Sequence, residues 1–323
     1  MGKDVILVVG ANGQVGKALL PQLIEIYGDR SVIAVDITSN IWSWTCRFFS
    51  LDATDPKKLY DIIHKYGVTQ IYHLAAILSA NGERNPSQTW DVNIRTMLNV
   101  LEIAKTTKAS KVFIPSSIAV FGPSAVKENT EQFSYLDPTT VYGISKVATE
   151  NWIYYYNVKY HLDIRSLRYP GIIGAQSIPN GGTTDYAVEM FYKAITYEVF
   201  TCYLKPGTVL PMIYIDDAIR ATIELMDAPL GALRIRSSYN LAATSFDPST
   251  LTACIKQYIP NLKVYFEPDF RQKIAESWPD TIDDHYARTD WQWKPLFDLK
   301  AIISSMMAEV RKAIEKKGGS IKN

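Results

Sequence analysis

The stretch VILVVGANGQVG, residues 5–16, constrains this chain more than any other. An unbroken apolar run meets three glycines, Gly10, Gly13 and Gly16, and then an amphipathic stretch. A strand that is apolar throughout needs cover on both faces, the habit of parallel sheets flanked by helices. A glycine turn between strand and helix lets backbone approach a phosphate closely, and the first amides of the helix favour its charge. GANGQVG therefore nominates Gly10, Asn12, Gly13, Gln14, Val15 and Gly16 as a dinucleotide cradle, with GxxGxxG spacing in place of the usual GxGxxG. The bland alternative is a turn that binds nothing.

The same alternation runs on to residue 170. SVIAVD (31–36), IYHLAA (71–76), KVFIPSS (111–117) and DIRSLRYP (163–170) read as strands, with helices expected near 14–27, 56–66, 86–107 and 140–160. The expected fold is α/β, a doubly wound parallel sheet of the Rossmann kind. After Pro170 the pattern loosens. GIIGAQSIPNGGTTDY has the composition of a binding loop; helices are expected at 216–226, near 248–258 and from about 298 to 316, with a short strand at 238–243. The expected organisation is a nucleotide-binding core over 1–175, then a small substrate-binding cap over 176–316 with some segments returning to the core. The tail 317–323 reads as frayed.

Charge and composition narrow the function classes. With 34 Lys+Arg against 33 Asp+Glu and no block of like charge before the tail, nothing marks a nucleic-acid surface. The three cysteines and four histidines are dispersed, which gives neither a disulfide framework nor a metal-ligand spacing. A reducing compartment, cytosol or mitochondrial matrix, fits that usage. No apolar run is long enough to span a membrane, and the early strand leads us to expect no targeting segment in this chain, although a processed N-terminus would look the same. A small-molecule partner is the expectation.

The nucleotide end has further candidates. Asp36 closes the second strand 20 residues after Gly16, where a carboxylate accepts both ribose hydroxyls of NAD and repels the 2′-phosphate of NADP. NAD is the expected cofactor. Asp52 stands where it can accept from the adenine amino group, or simply be solvated. Small residues in HLAA, namely Leu74, Ala75 and Ala76, suit the sheet edge beside a cofactor, while His73 reads as a packed strand residue.

For chemistry, VYGISK (141–146) places Tyr142 and Lys146 four residues apart, on one helix face. An ammonium there lowers a phenol's pKa and makes it a usable proton acceptor. The same spacing recurs at Tyr155 and Lys159, inside the aromatic run WIYYY. Tyr142 follows the turn-forming DPTT and lies 25 residues after Ser117, so it belongs near a helix start. That context favours Tyr142 and Lys146 over the second pair.

Taken in order, GANGQVG, Asp36, HLAA, Asn93, PSSIAVFG, YGISK and LRYPGIIG resemble the extended short-chain dehydrogenase/reductase superfamily over at least residues 4–230. NGGTTDYAVEMF, LPMIYIDDAIRATIELM, SYNLAATSFDP and WPDTIDDHYARTDWQW make the chain similar to the L-threonine 3-dehydrogenases related to UDP-galactose 4-epimerase. The resemblance implies oxidation of the β-hydroxyl of L-threonine to 2-amino-3-oxobutyrate, with hydride passing to NAD⁺. It implies Tyr142 as acid/base, Lys146 as its partner on the nicotinamide ribose, and Ser117 on the reacting oxygen, with Ser116 beside it. Asn93 and Tyr169 join the cofactor set. Ser79, Thr183, Thr184, Asp185 and Trp278 are candidates for the two charges and the pocket wall of an amino acid. The loops 79–85 and 178–186 suit closure over a substrate.

Two departures bear on substrate. Phe121 stands where the sugar-nucleotide relatives usually show tyrosine, and Pro170–Gly171 replace their Phe-Asn. The alternatives are a nucleotide-sugar epimerase or dehydratase, and a non-catalytic dinucleotide sensor. The resemblance also implies a homodimer through helices 86–107 and 140–160; packing of their aromatics under the cap is the plainer alternative.

Overall fold

The structure is a computed structural model that describes residues 4–39, 44–107, 109–176, 179 and 182–316. Six parallel strands form its central sheet, in the spatial order Arg47–Ser50, Val32–Asp36, Ile6–Val9, Gln70–His73, Lys111–Phe113 and Asp163–Arg165. Ile6 pairs with Val32 on one side and Gln70 on the other. Strand order therefore reverses between Ile6–Val9 and Gln70–His73, the place where doubly wound sheets open a crevice.

Alternation along the first strand shows why both faces are covered. Ile6 and Val8 point into one apolar cluster with Leu19, Leu20 and Leu23 of the Gln14–Tyr27 helix. Leu7 and Val9 point into another, with Leu59, Ile63, Leu101 and Ile153 from the Pro56–Tyr66, Pro86–Thr106 and Val141–Tyr160 helices. This is the doubly wound α/β fold expected of the sequence.

The first cluster does not stop at residue 175. It runs on through Phe191, Met212, Leu225, Trp293 and Met306. The C-terminal half is built from the Tyr186–Tyr197, Ile215–Asp227 and Leu299–Lys316 helices and two small sheets, Thr244–Phe246/Leu210–Tyr214/Gly171–Ile173 and Val199–Cys202/Lys263–Phe266. Apolar side chains join it to the glycine-turn side of the main sheet.

Two expected strands are each divided. KVFIPSS gives Lys111–Phe113 in the main sheet and Ser116–Ser117 in a separate one, since Pro115 has no N–H for the ladder. DIRSLRYP splits in the same way: Asp163–Arg165 stays in the main sheet, while Leu167–Tyr169 pairs with Ser116–Ser117 and Tyr239–Asn240. The division swings Ser116 and Ser117 out of the main sheet and over the Val141–Tyr160 helix.

Candidate active site

A cavity of about 1220 Å³ opens at the reversal of strand order, between the glycine turn and the C-terminal half. Gly10 has φ +87, and a Cβ there would lie 2.7 Å from the Ala75 nitrogen. Only glycine lets the two strand ends come this close. The Gln14–Tyr27 helix that follows has no capping side chain and no acidic residue in its first turn. Its leading amides therefore remain available to an anion.

Asp36 braces this turn. One carboxylate oxygen accepts from the Asn12 nitrogen at 2.8 Å, and the other from the Thr38 nitrogen at 3.0 Å and its hydroxyl at 2.8 Å. The oxygen that accepts from Asn12 keeps a lone pair for a further donor, whereas Thr38 occupies both of the other's. Gly10, Asn12, Gly13, Gln14, Val15, Gly16, Leu74, Ala76 and Tyr169 all line the cavity. Cradle, bare helix start and braced carboxylate fit a dinucleotide.

Besides Asp36, which braces the turn without lining the cavity, three candidates stand back from it. Ala75 packs behind Gly10. Asn93 spends its amide on the backbone of Ile77, at 2.8 and 3.1 Å, and on the Ser145 hydroxyl at 3.3 Å, thereby tying the Leu74–Leu78 wall to the Val141–Tyr160 helix. Asp52 is exposed and accepts from the Thr54 nitrogen at 2.9 Å.

The chemical end lies further along the cavity. Thr140 caps the Val141–Tyr160 helix by accepting from the Gly143 nitrogen at 3.1 Å, which puts Tyr142 in the first turn. The Lys146 ammonium sits 5.5 Å from the Tyr142 ring centre and donates to the Pro115 carbonyl at 2.7 Å. Ser117 lies beside the Tyr142 phenol and favours its ionised form. Burial outweighs that pull and pushes the phenol up to about 12. Burial also brings Lys146 down to about 8, with the Glu150 carboxylate acting the other way. Ser116 borders the cavity but turns its hydroxyl to Glu150, at 2.6 Å. Tyr155, by contrast, is 44% exposed on the outer side of the same helix, stacked among Trp152, Tyr156 and Tyr160.

Across the cavity, the hydroxyls of Ser79 and Thr183 meet at 3.1 Å, both buried. Thr184, Asp185 and Trp278 complete that wall, and Asp185 accepts from the Gly182 nitrogen at 2.8 Å. Of the loop 178–186, the described residues are 179 and 182–186; Gly181 lies outside them, as do residues 317–323 of the tail. Trp278 is held from behind by Lys127, whose ammonium donates to the carbonyls of Glu276 and Trp278.

The sequence reading missed part of the lining: Ile77, Asn81, Gln176, Tyr192 and Lys316. Tyr192 belongs to the Tyr186–Tyr197 helix and Lys316 ends the Leu299–Lys316 helix. No local motif marks either as facing a cavity formed by the glycine turn. Among the described residues, no cluster of three His, Cys, Asp or Glu could hold a metal, and no helix is long and apolar enough to cross a membrane.

The model of the NAD dependent epimerase/dehydratase family matches residues 6–242. An uncharacterized epimerase/dehydratase of Staphylococcus aureus (strain MRSA252) is 40% identical over 322 residues, which is 98% of this chain and 98% of that relative. The holo form of a GalE-like L-threonine dehydrogenase from Cupriavidus necator is 47% identical, with a TM-score of 0.93 over 95% of this chain and 99% of that one. A monomeric L-threonine 3-dehydrogenase from a metagenome, in its apo form, is 44% identical, with a TM-score of 0.93 over 96% and 99%.

Proposed function

This chain belongs to the NAD dependent epimerase/dehydratase family, its cofactor is NAD, and we propose that it oxidises the β-hydroxyl of L-threonine to 2-amino-3-oxobutyrate. The observation that carries this reading is the convergence of Ser117, Tyr142 and Lys146 in one cavity, opposite the hydroxyl-rich wall of Ser79, Thr183 and Thr184. The names of the two solved dehydrogenases, both above 40% identical over nearly the whole chain, support the substrate.

Gly10–Gly16 would hold the pyrophosphate of NAD⁺ and Asp36 its ribose, and the cofactor would supply the hydride acceptor. Tyr142 takes the proton of the β-hydroxyl as the β-carbon loses hydride. Burial holds its phenol at about 12, not below its usual value as the Lys146 spacing predicts, so this requires bound NAD⁺ and the Lys146 ammonium together to favour the phenolate. Lys146 in its ammonium form stabilises the phenolate. Ser117 donates to the substrate oxygen as it becomes a carbonyl. Thr183, Thr184 and Ser79 hold the substrate carboxylate, Asp185 faces its ammonium, and Trp278 forms the wall.

Gly171 supports a small substrate over a nucleotide-sugar. A Cβ there would lie 2.4 Å from the Met212 sulfur and 2.7 Å from Thr184 Cγ2. An asparagine at this position would push Thr184 away from the cavity that it lines.

The test is NADH absorbance on mixing the protein with NAD⁺ and L-threonine, beside NADP⁺ and L-serine. Growth only with NAD⁺ and L-threonine, lost in Tyr142→Phe, is the expected result. No growth, together with NAD that co-purifies and is released on denaturation, would shift the assignment to an epimerase.

The assembly follows from the outer face of the same helix. Tyr154, Tyr155, Val158 and Tyr160 are exposed on its C-terminal half, and Trp90 is exposed near the start of the Pro86–Thr106 helix. These two helices pair across a two-fold axis in a homodimer, on this reading. Light scattering should give twice the chain mass. A single-chain mass at micromolar concentration would refute the pairing.

A further inference from the structure

One buried charged pair lies outside the mechanism above. Glu150 follows Lys146 by one helical turn and is 3% exposed. One of its oxygens accepts from Ser116 Oγ at 2.6 Å and Arg168 Nε at 2.9 Å, and the other from Arg168 Nη2 at 2.7 Å. Arg168 also donates to the Gln132 carbonyl at 2.8 Å and to Asn240 Oδ1 at 3.0 Å. Replacing such a pair with apolar side chains is often neutral or stabilising, so stability alone is a weak reason for its presence.

Its position gives a better reason. Lys146 holds the Pro115 carbonyl and Glu150 holds the Ser116 hydroxyl, so one face of one helix grips two consecutive residues of the segment that presents Ser117. We infer that Glu150 is a positioning residue: through Ser116 and Arg168 it fixes Ser117 against Tyr142, and its charge keeps the Lys146 ammonium beside the phenol. This rests on the assignment of Tyr142, Lys146 and Ser117 as the reacting group.

The ionisable groups around Lys146 come from three elements. Tyr142 and Glu150 share its helix, His73 closes the Gln70–His73 strand, and Arg168 reaches Glu150 from the Leu167–Tyr169 strand. Burial and the Lys146 charge push His73 down to about 3, so it stays neutral at working pH. Arg168 is already committed to Glu150. Glu150 is therefore the group that offsets burial and keeps Lys146 cationic.

The test follows Lys146 itself, by NMR titration of protein carrying ε-¹³C-lysine, with the resonance assigned by its loss in Lys146→Arg. Glu150→Gln should move that titration to lower pH. In parallel, kcat/KM for L-threonine should fall roughly ten-fold or more at neutral pH and recover toward alkaline pH, because the phenol's own titration moves up. Should Glu150→Gln leave Arg168 too costly an unpaired buried charge to fold, Glu150→Gln/Arg168→Met removes both charges and should displace Lys146 in the same direction by a smaller amount. Ser116→Ala should lower kcat without displacing either titration. An unmoved Lys146 resonance, with a rate profile lowered uniformly or only a lower melting temperature, would reduce Glu150 to a structural pair. The NMR arm needs no turnover, so it decides this inference even if L-threonine proves not to be the substrate.

Discussion

The Val141–Tyr160 helix carries two tyrosine–lysine pairs of identical spacing with opposite surroundings. Tyr142 and Lys146 face the cavity beside Ser117, whereas Tyr155 and Lys159 face outward, with Tyr155 in a cluster of four aromatic residues. Thirteen residues of helix separate the tyrosines, so they share backbone, propensity and charge pattern. What differs is what the fold brings to each: the Ser116–Ser117 strand to one and open surface to the other. Spacing supplies the geometry of a reacting pair, and burial against a split strand supplies its chemistry.

The sharpest way to break that comparison is to delete both phenol hydroxyls in turn. Tyr142→Phe should lower kcat by roughly 10²–10⁴-fold while NAD affinity, read by fluorescence titration, stays within a few-fold. Tyr155→Phe should leave kcat within about two-fold. Equal losses would remove the basis for choosing between the pairs.

Lysine replacement sharpens the contrast, since it sets activity against stability. Folding brings Lys146 from its usual 10.5 to about 8, so between those values the unfolded chain holds a proton that the folded chain has released. Stability from this group therefore rises with pH across that window, and the full penalty of the buried charge is present below pH 8. Lys146→Met should lower turnover by roughly 10²-fold yet raise stability at pH 7 by on the order of 1–3 kcal/mol, less whatever the lost Pro115 bond contributes. The gain should vanish near pH 10.5 in denaturant melts. Lys159→Met should change neither quantity beyond about 0.5 kcal/mol.

A smaller effect is expected opposite the tyrosine. Gly171→Asn should cost about ten-fold in kcat/KM by displacing Thr184, and about 1–3 kcal/mol of stability from overpacking. Unchanged kinetics would show that Thr184 does not touch the substrate. The mildest change is Lys127→Met. It frees the carbonyls of Glu276 and Trp278, so KM should rise by a few-fold with kcat nearly constant, at a cost of about 1–2 kcal/mol in stability.

The regions that were legible in the sequence are those whose burial is locally periodic. The strands at Ile6–Val9 and Val32–Asp36 are apolar because both faces are covered, and the helices between the strands alternate visibly. The Arg47–Ser50 edge strand leaves no clear signal, because RFFS is only partly covered and carries polar residues at both ends. Leu210–Tyr214 and Val199–Cys202 leave none either. They pair with strands tens of residues away, and isolated short apolar runs lack a period that distinguishes strand from helix. The Tyr186–Tyr197 helix begins where a glycine-rich loop reading ended, without a side-chain cap to announce it.

The site divides in the same way. Glycine turn, Asp36 and YGISK are contiguous signals. The Ser79–Thr183 contact joins residues 104 apart and the Lys127–Trp278 contact residues 151 apart, so neither leaves a trace in any window. Glu150 and Arg168 are 18 apart, and each taken alone reads as an ordinary charged residue. Only the break at Ser166, between two strands of different sheets, brings the guanidinium beneath the tyrosine helix.

The apolar cluster shared by Ile6, Leu19, Phe191, Trp293 and Met306 has a thermodynamic consequence. Ligand that binds the folded form stabilises whatever must remain folded to bind it. With side chains of the glycine-turn helix and the Leu299–Lys316 helix in one core, free energy gained at the pyrophosphate cradle protects residues close to 300 positions further along the chain. Saturation with cofactor should therefore protect the C-terminal helix from hydrogen exchange as well as the turn that it touches.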